Sequence, residues 1–187
     1  PHIEATVDRL RAHPVILAMD QAITDSERLE SPIDVVIDKS RGQGATYLYL
    51  NVALRRWLRD PMFSVGLVTR TEDLVDSLRD PDTLMWKVDW TLRMLPFWML
   101  PEGYDFTRHR SLTDHSISNP ANCSTIIGYS ATGDVWRGGR NTLFCIDELG
   151  SEDFIKGGKD YAVLDSTQHV TNCRIMPSTS GGDTRAF

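Results

Sequence analysis

The sequence predicts an α/β fold: a mostly parallel central sheet with helices on both faces and an added antiparallel hairpin near residues 114–130. Three observations predict it. An apolar, β-branched run, Ile33-Asp34-Val35-Val36-Ile37, leads through a glycine loop, KSRGQGAT, into the helix-like segment YLYLNVALRRWL. A second apolar run, Thr142 to Ile146, ends in the adjacent carboxylates Asp147 and Glu148. After it a helix-like run, KDYAVLDSTQHV, leads to a further strand, Asn172 to Met176.

The elements follow in order. Residues 1–30 have apolar spacing near the helical period, interrupted at Pro14, and Ser31-Pro32 marks entry to the first strand. The helix after the loop runs from about Thr46 to Leu58 and stops before Asp60-Pro61. Phe63 to Thr69 is a second strand, and Thr71, with Glu72 and Asp73 behind it, can cap a following helix. Asp80-Pro81-Asp82 turns the chain, Thr83 opens a helix that ends at Pro96, and Pro96 to Pro101 is a stiff apolar connector. Trp86, Trp90 and Leu84 are packing residues of that helix. HSISNP and CSTIIGYS flank the turn signal Asn119-Pro120-Ala121-Asn122 and predict a hairpin. A polar, glycine-rich stretch from Ala131 to Asn141 carries Arg137 and Arg140 and belongs at the surface. After the acidic pair, Gly157-Gly158 breaks the chain, KDYAVLDSTQHV is helical, and Asn172 to Met176 is a strand that empties into the hydroxyl-rich turn Pro177 to Gly182.

Composition narrows the function classes. With 187 residues the chain can bury a sizeable core, and 41% hydrophobic with 25% charged content is ordinary for a globular protein. No apolar run approaches a membrane span and the start is not signal-like. The three cysteines, Cys123, Cys145 and Cys173, have no metal-binding spacing and read as reduced core residues of a cytoplasmic setting. His109 and His115 read as surface or loop residues. A net charge of −6 argues against a free-standing DNA-binding module, so any DNA contact is local or shared with other domains or copies.

The glycine loop carries the chemistry. A strand, a glycine loop and a helix N-terminus converge backbone N–H groups and the positive end of the helix on one anion. The usual pattern is G-x-x-x-x-G-K-[ST]. Gly44 and Thr46 match its end, but Ala45 stands where the lysine belongs, and Lys39 opens the loop instead. Because the loop wraps its anion, Lys39 can deliver from the front the charge missing at the back. The alternative is a solvated strand-end lysine beside a degenerate loop. Asp147 at a strand's carboxyl end can hold Mg²⁺ near the Thr46 hydroxyl, while Glu148, pointing elsewhere, can polarise water. The pair could equally be first-turn helix charge. Gln21 could read an adenine edge or lie plainly at the surface, and Ser178 or Thr179 could sense a terminal phosphate or belong to an ordinary turn.

Taken together, these parts resemble the ATPase domain of the large terminase subunit of tailed bacteriophages. The resemblance spans Asp38 to Phe187 and rests on KSRGQGAT, the segment Thr69 to Pro101, GDVWRGGR, LFCIDE and STSGGDTRAF in that order. It implies a P-loop NTPase of the additional-strand catalytic-glutamate type that hydrolyses ATP with Mg²⁺ to drive double-stranded viral DNA into a procapsid. In that reading residues 39–46 (Lys39, Ser40, Arg41, Gly42, Gln43, Gly44, Ala45 and Thr46) form the nucleotide loop, with Arg41 contacting phosphate and Lys39 in the lysine's role. Thr46 and Asp147 hold the metal, Glu148 is the base, Arg137 acts in trans with Arg140 as the fallback, and Ser178, Thr179 and Ser180 couple hydrolysis to movement. The implied partners are viral DNA, the portal protein, the small terminase subunit and a homo-oligomeric ring, expected to be a pentamer, formed from chains monomeric when isolated. The implied setting is the cytoplasm of an infected bacterium. The expectation for domains is one ATPase unit over residues 1–187, with an N-terminal helical segment over 1–30 and no C-terminal nuclease. A helicase-like ring ATPase and a degenerate nucleotide-binding module that never hydrolyses are the competing readings.

Overall fold

A computed structural model describes residues 13–29, 31–40, 42–131, 140–155 and 158–179. Among the described residues, seven strands form one sheet in the order β1-β7-β6-β2-β5-β4-β3. They are β1 (Ile33–Asp38), β2 (Ser64–Thr69), β3 (Arg110–Ser111), β4 (Ser116–Ser118), β5 (Thr125–Ser130), β6 (Leu143–Ile146) and β7 (Cys173–Ser178). The five strands β1, β7, β6, β2 and β5 run parallel, and β4 and β3 add an antiparallel edge. The predicted fold class and hairpin are therefore present. Between β1 and β6 lies β7, with Ile33 opposite Cys173 and Phe144 opposite Arg174.

Helices cover both faces because the strands alternate their side chains. On one face α1 (Pro14–Leu29), α2 (Ala45–Arg59) and α3 (Leu84–Met94) pack Met19, Ile23, Tyr49, Trp57, Met85 and Val88 over Val65, Leu67, Cys145 and Ile175. On the other, the one-turn α4 (Glu152–Ile155) and α5 (Lys159–Gln168) set Phe154 and Val163 against Val68, Phe144, Ile146 and Met176. Gly66 is the one place in β2 that accepts the Phe144 ring: a Cβ there would lie 2.3 Å from it. The hairpin turn is tied to the end of α2, since Asn119 and Asn122 both donate to the Trp57 carbonyl and the Trp57 indole donates to the Ser124 carbonyl.

Several local expectations are corrected. After Thr71 only a three-residue 3₁₀ turn (Glu72–Leu74) forms, and the Thr71 side chain makes no cap bond. The chain there serves instead an ionic cluster, in which Arg110 bridges the buried Asp76 and Asp89, and His115 bridges Asp76 to the exposed Glu72. Cys145 and Cys173 are buried thiols, but Cys123 is exposed, in a left-handed conformation (φ 61°) inside the hairpin turn, where the chain reverses at the surface. Ser178 is not in a turn; it is the last residue of β7 and is buried. Of the predicted packing residues, Leu84 is buried, while Trp90 stacks on Trp86 and keeps 44% of its surface exposed. Phe97 and Trp98 in the connector stand in solvent at 87% and 71% exposure.

The Arg110 side chain is 5% exposed and that of Asp76 2%, so removing the cation strands two buried carboxylates. Arg110→Met is expected to cost about 3–5 kcal/mol, read as a lower urea midpoint.

Candidate functional site

All five parallel strands present their carboxyl ends at one edge, the edge where ligands bind in open α/β sheets. The glycine loop leaves β1 there and enters α2. Gly42 and Gly44 both take positive φ (76° and 69°), a conformation that a Cβ would strain, and Gly44 is the residue preceding the helix. It makes no side-chain cap, so the first N–H groups of α2 stay available to an anion. Ala45 is buried at 5% exposure and Thr46 is half-buried, whereas Ser40 and Gln43 are exposed.

Across the loop stands the acidic pair. The Thr46 hydroxyl donates to Asp147 Oδ2 at 3.1 Å, joining residues 101 apart in sequence. Asp147 Oδ1 is buried without a hydrogen-bond partner. Burial raises the Asp147 pKa above the ordinary carboxylate range, the charge of Glu148 adds to the rise, and Lys39 and the Thr46 bond oppose it. The charge of Lys39 thus acts on the acid across the loop. A hydroxyl beside a carboxylate with spare acceptor capacity is a hard-oxygen donor set that suits Mg²⁺.

Glu148 points away from Asp147. Its backbone is left-handed (φ 56°), uncommon for a non-glycine residue, and its carboxylate reaches Arg70 at 3.7 Å. Its N–H donates to the Pro177 carbonyl, which anchors the strained residue to β7. The end of β7 also joins the loop: Lys39 N–H donates to the Ser178 carbonyl at 3.0 Å, and Gly150 N–H to Ser178 Oγ at 2.9 Å. Thr179 follows, half-buried.

Sequence reasoning missed three residues of this corner. Arg70, at the tip of β2, is beside Glu148 only because β2 neighbours β6. Lys87 on α3 donates to the carbonyls of Asp82 and Thr83; burial lowers its pKa, while the charges of Asp147, Asp82, Asp80 and Glu148 hold it up. Tyr49, fully buried on α2, borders Asp147. Only Tyr49 carried a sequence signal, its spacing of three from Thr46 on one helix face.

Two predicted residues lie elsewhere. Gln21 is exposed on α1 beside Asp20, whose carboxylate is held by Arg55 and Arg56 toward the end of α2 opposite the loop. Arg140 precedes β6, at the amino edge of the sheet, where it lines a polar cleft of about 440 Å³ with Ser64, Asn141 and His169. From there it does not reach the loop of its own chain. Arg41, Arg137 and Ser180 lie outside the described residues.

No family model and no curated protein sequence matches this chain. Solved structures do. The chain superposes on the HK97 bacteriophage large terminase with a TM-score of 0.61 and 15% identity, over 92% of its own length. It shares that terminase's fold. The chain spans 34% of the length of the HK97 protein. A variant of the Thermus phage P74-26 large terminase ATPase domain also matches, with a TM-score of 0.48 and 13% identity, over 87% of this chain and 66% of that one. Among the described residues no helix is long and apolar enough to cross a membrane.

Because Asp147 is buried with a raised pKa, the native state takes up a proton at higher pH than the unfolded chain does. The ionised carboxylate then costs stability above that native pKa, and the cost is relieved as pH falls through it. Asp147→Asn is expected to melt above the parent at mildly alkaline pH without nucleotide or metal, with the gain shrinking on acidification. Calorimetric scans across pH measure it.

Proposed function

We propose that this chain is the ATP-hydrolysing motor region of a large terminase, which moves double-stranded viral DNA into a procapsid. The observation that carries the reading is the Thr46–Asp147 contact of 3.1 Å at the mouth of a glycine loop, at the carboxyl edge of a parallel sheet. The shared fold with the HK97 large terminase supports it. The same geometry serves a helicase-like ring ATPase less well, because the resemblance over Thr69 to Pro101 has no counterpart in that reading.

In this reading the N–H groups of residues 42–46 and the start of α2 cradle the β- and γ-phosphates of ATP, and Arg41 contacts phosphate. Lys39 replaces the charge that Ala45 cannot supply, from the opposite side of the anion. Thr46 and Asp147 would hold Mg²⁺, which when bound would neutralise charge on the phosphate oxygens. Glu148 orients a water and accepts its proton as the water oxygen bonds to the γ-phosphorus; the bond from that phosphorus to the bridging oxygen breaks, and ADP leaves with the electron pair. Arg70 holds Glu148 at the rim until the site fills. Ser178 to Ser180 lie on or beyond the strand joining the loop to the acidic pair, and they relay the change to moving parts. Arg137, or Arg140 in its place, enters the site of a neighbouring copy in a ring, which agrees with Arg140 being remote from its own loop. The DNA, the portal protein and the small terminase subunit are the partners of that ring, in the cytoplasm of an infected bacterium.

Phosphate-release assays test the reading. Lys39→Ala is expected to lower the rate about 10²-fold or more and Glu148→Gln about 10²–10⁴-fold. Equal rates for parent and both variants would instead identify a nucleotide-binding module that does not hydrolyse.

Rings assembled on procapsids test the trans arginine separately. Replacing the acting arginine, by Arg137→Ala or Arg140→Ala, is expected to cut the DNA-stimulated rate about 10³-fold or more. Mixed with parent subunits, the variant subunit is expected to silence its neighbour's site rather than its own.

A further inference from the structure

Two polar atoms in the core beside the glycine loop have no hydrogen-bond partner: Tyr49 Oη and Asp147 Oδ1. They belong to adjoining side chains. Each lies within the other's electrostatic reach. A phenol is a hydrogen-bond donor at ordinary pH, so Tyr49 has a proton to give and Asp147 Oδ1 a lone pair to take it. Three residues before it on the same face of α2, Thr46 already donates to the other carboxylate oxygen, Oδ2. One helix face thus brings two hydroxyl donors to one carboxylate that has two acceptor oxygens, and only one of the two bonds is closed.

We propose that Tyr49 is a positioning residue for the metal-binding carboxylate: its hydroxyl donates to Asp147 Oδ1, locks the carboxylate's rotation, and leaves Oδ2 with the Thr46 hydroxyl turned toward the cation. The inference rests on the nucleotide reading above. The Asp147 backbone is fixed by its N–H bond to the Val68 carbonyl and by that of Glu148 to the Pro177 carbonyl, so the freedom left to restrain is the rotation of the carboxylate itself. Partners that orient a ligand in this way govern metal affinity nearly as strongly as the ligands do. The ring of Tyr49 packs in the apolar core of its face, so phenylalanine fills the same space and lacks only the hydroxyl.

The test uses the 187-residue chain with ATPγS as nucleotide and Mn²⁺ as the spectroscopic probe. Tyr49→Phe is expected to melt at or above the parent's temperature without metal, and to bind ATPγS in EDTA within about twofold of the parent. Its Mn²⁺ affinity in the ATPγS complex, read by electron paramagnetic resonance, is expected to fall about 10–100-fold. Tyr49→Met, which also lacks the hydroxyl, is expected to show the same metal-specific loss. Unchanged Mn²⁺ affinity in a parent that binds both ligands overturns this inference alone, as does an equal loss of metal-free ATPγS binding. A parent that binds neither ATPγS nor Mn²⁺ overturns the nucleotide reading and this inference with it.

Discussion

The site depends on where β7 lies. A strand from the end of the chain is inserted between the strand that launches the glycine loop and the strand that ends in the acidic pair. Adjacent strands in a sheet are about 4.8 Å apart, so one intervening strand sets the gap between loop and acids at roughly twice that. This is a span that the first turn of α2, leaning from the loop, can close with Thr46. The same strand is hydrogen-bonded to both sides at its tip, through Lys39 and the Ser178 carbonyl on one and Glu148 and the Pro177 carbonyl on the other. A shift of β7 along its axis would therefore be felt by the loop and by the glutamate together.

Around that strand the electrostatics are deliberately uneven. Asp147 is enclosed and its carboxylate is held against burial by Lys39 and a hydroxyl, while Glu148 turns out to Arg70 on a strained backbone. Two neighbouring acids thus occupy distinct environments, one enclosed and the other turned toward solvent and a cation. Left-handed backbone at a non-glycine residue is costly and persists only where its surroundings over-determine it. Here the Pro177 carbonyl and the following turn, closed by the Ser151 N–H on the Glu148 carbonyl, do so.

Away from the site, the fold supports this edge from two directions. The hairpin turn is bolted to the end of α2 by Asn119, Asn122 and Ser124 around Trp57, which fixes the far end of the helix whose near end forms the cradle. The ionic cluster around Arg110 ties the loop after β2 to α3 and to the β3–β4 edge, and α3 in turn places Trp90 against Tyr47, next to Thr46. The stretch from Thr69 to Pro101 therefore acts as a brace between the sheet edge and the start of α2.

The sequence by itself determined the elements whose signals are local. Ile33 to Ile37 is β-branched except at Asp34 and extends; Gly42 and Gly44 mark positive φ; Asn119-Pro120 turns the chain; the run Leu143 to Ile146 is short and wholly apolar, so it is buried in a sheet. From these came the parallel sheet, the loop and the acid at a strand tip. Thr71 misled because capping chemistry describes only the first turn, and the residues after it were recruited by the distant Arg110 instead. Cys123 misled because thiols are usually buried, whereas this one sits in a turn that must face solvent. Tertiary structure alone decided which strand tips are neighbours. Strand order brings Arg70 to Glu148 and puts Arg140 at the opposite edge, and it encloses Asp147 with Tyr49 and Lys87 nearby. The physical reason is that composition and period act over a few residues, while charge, burial and hydrogen-bond partners at a site are set by chain segments a hundred residues apart that meet only when the sheet is assembled.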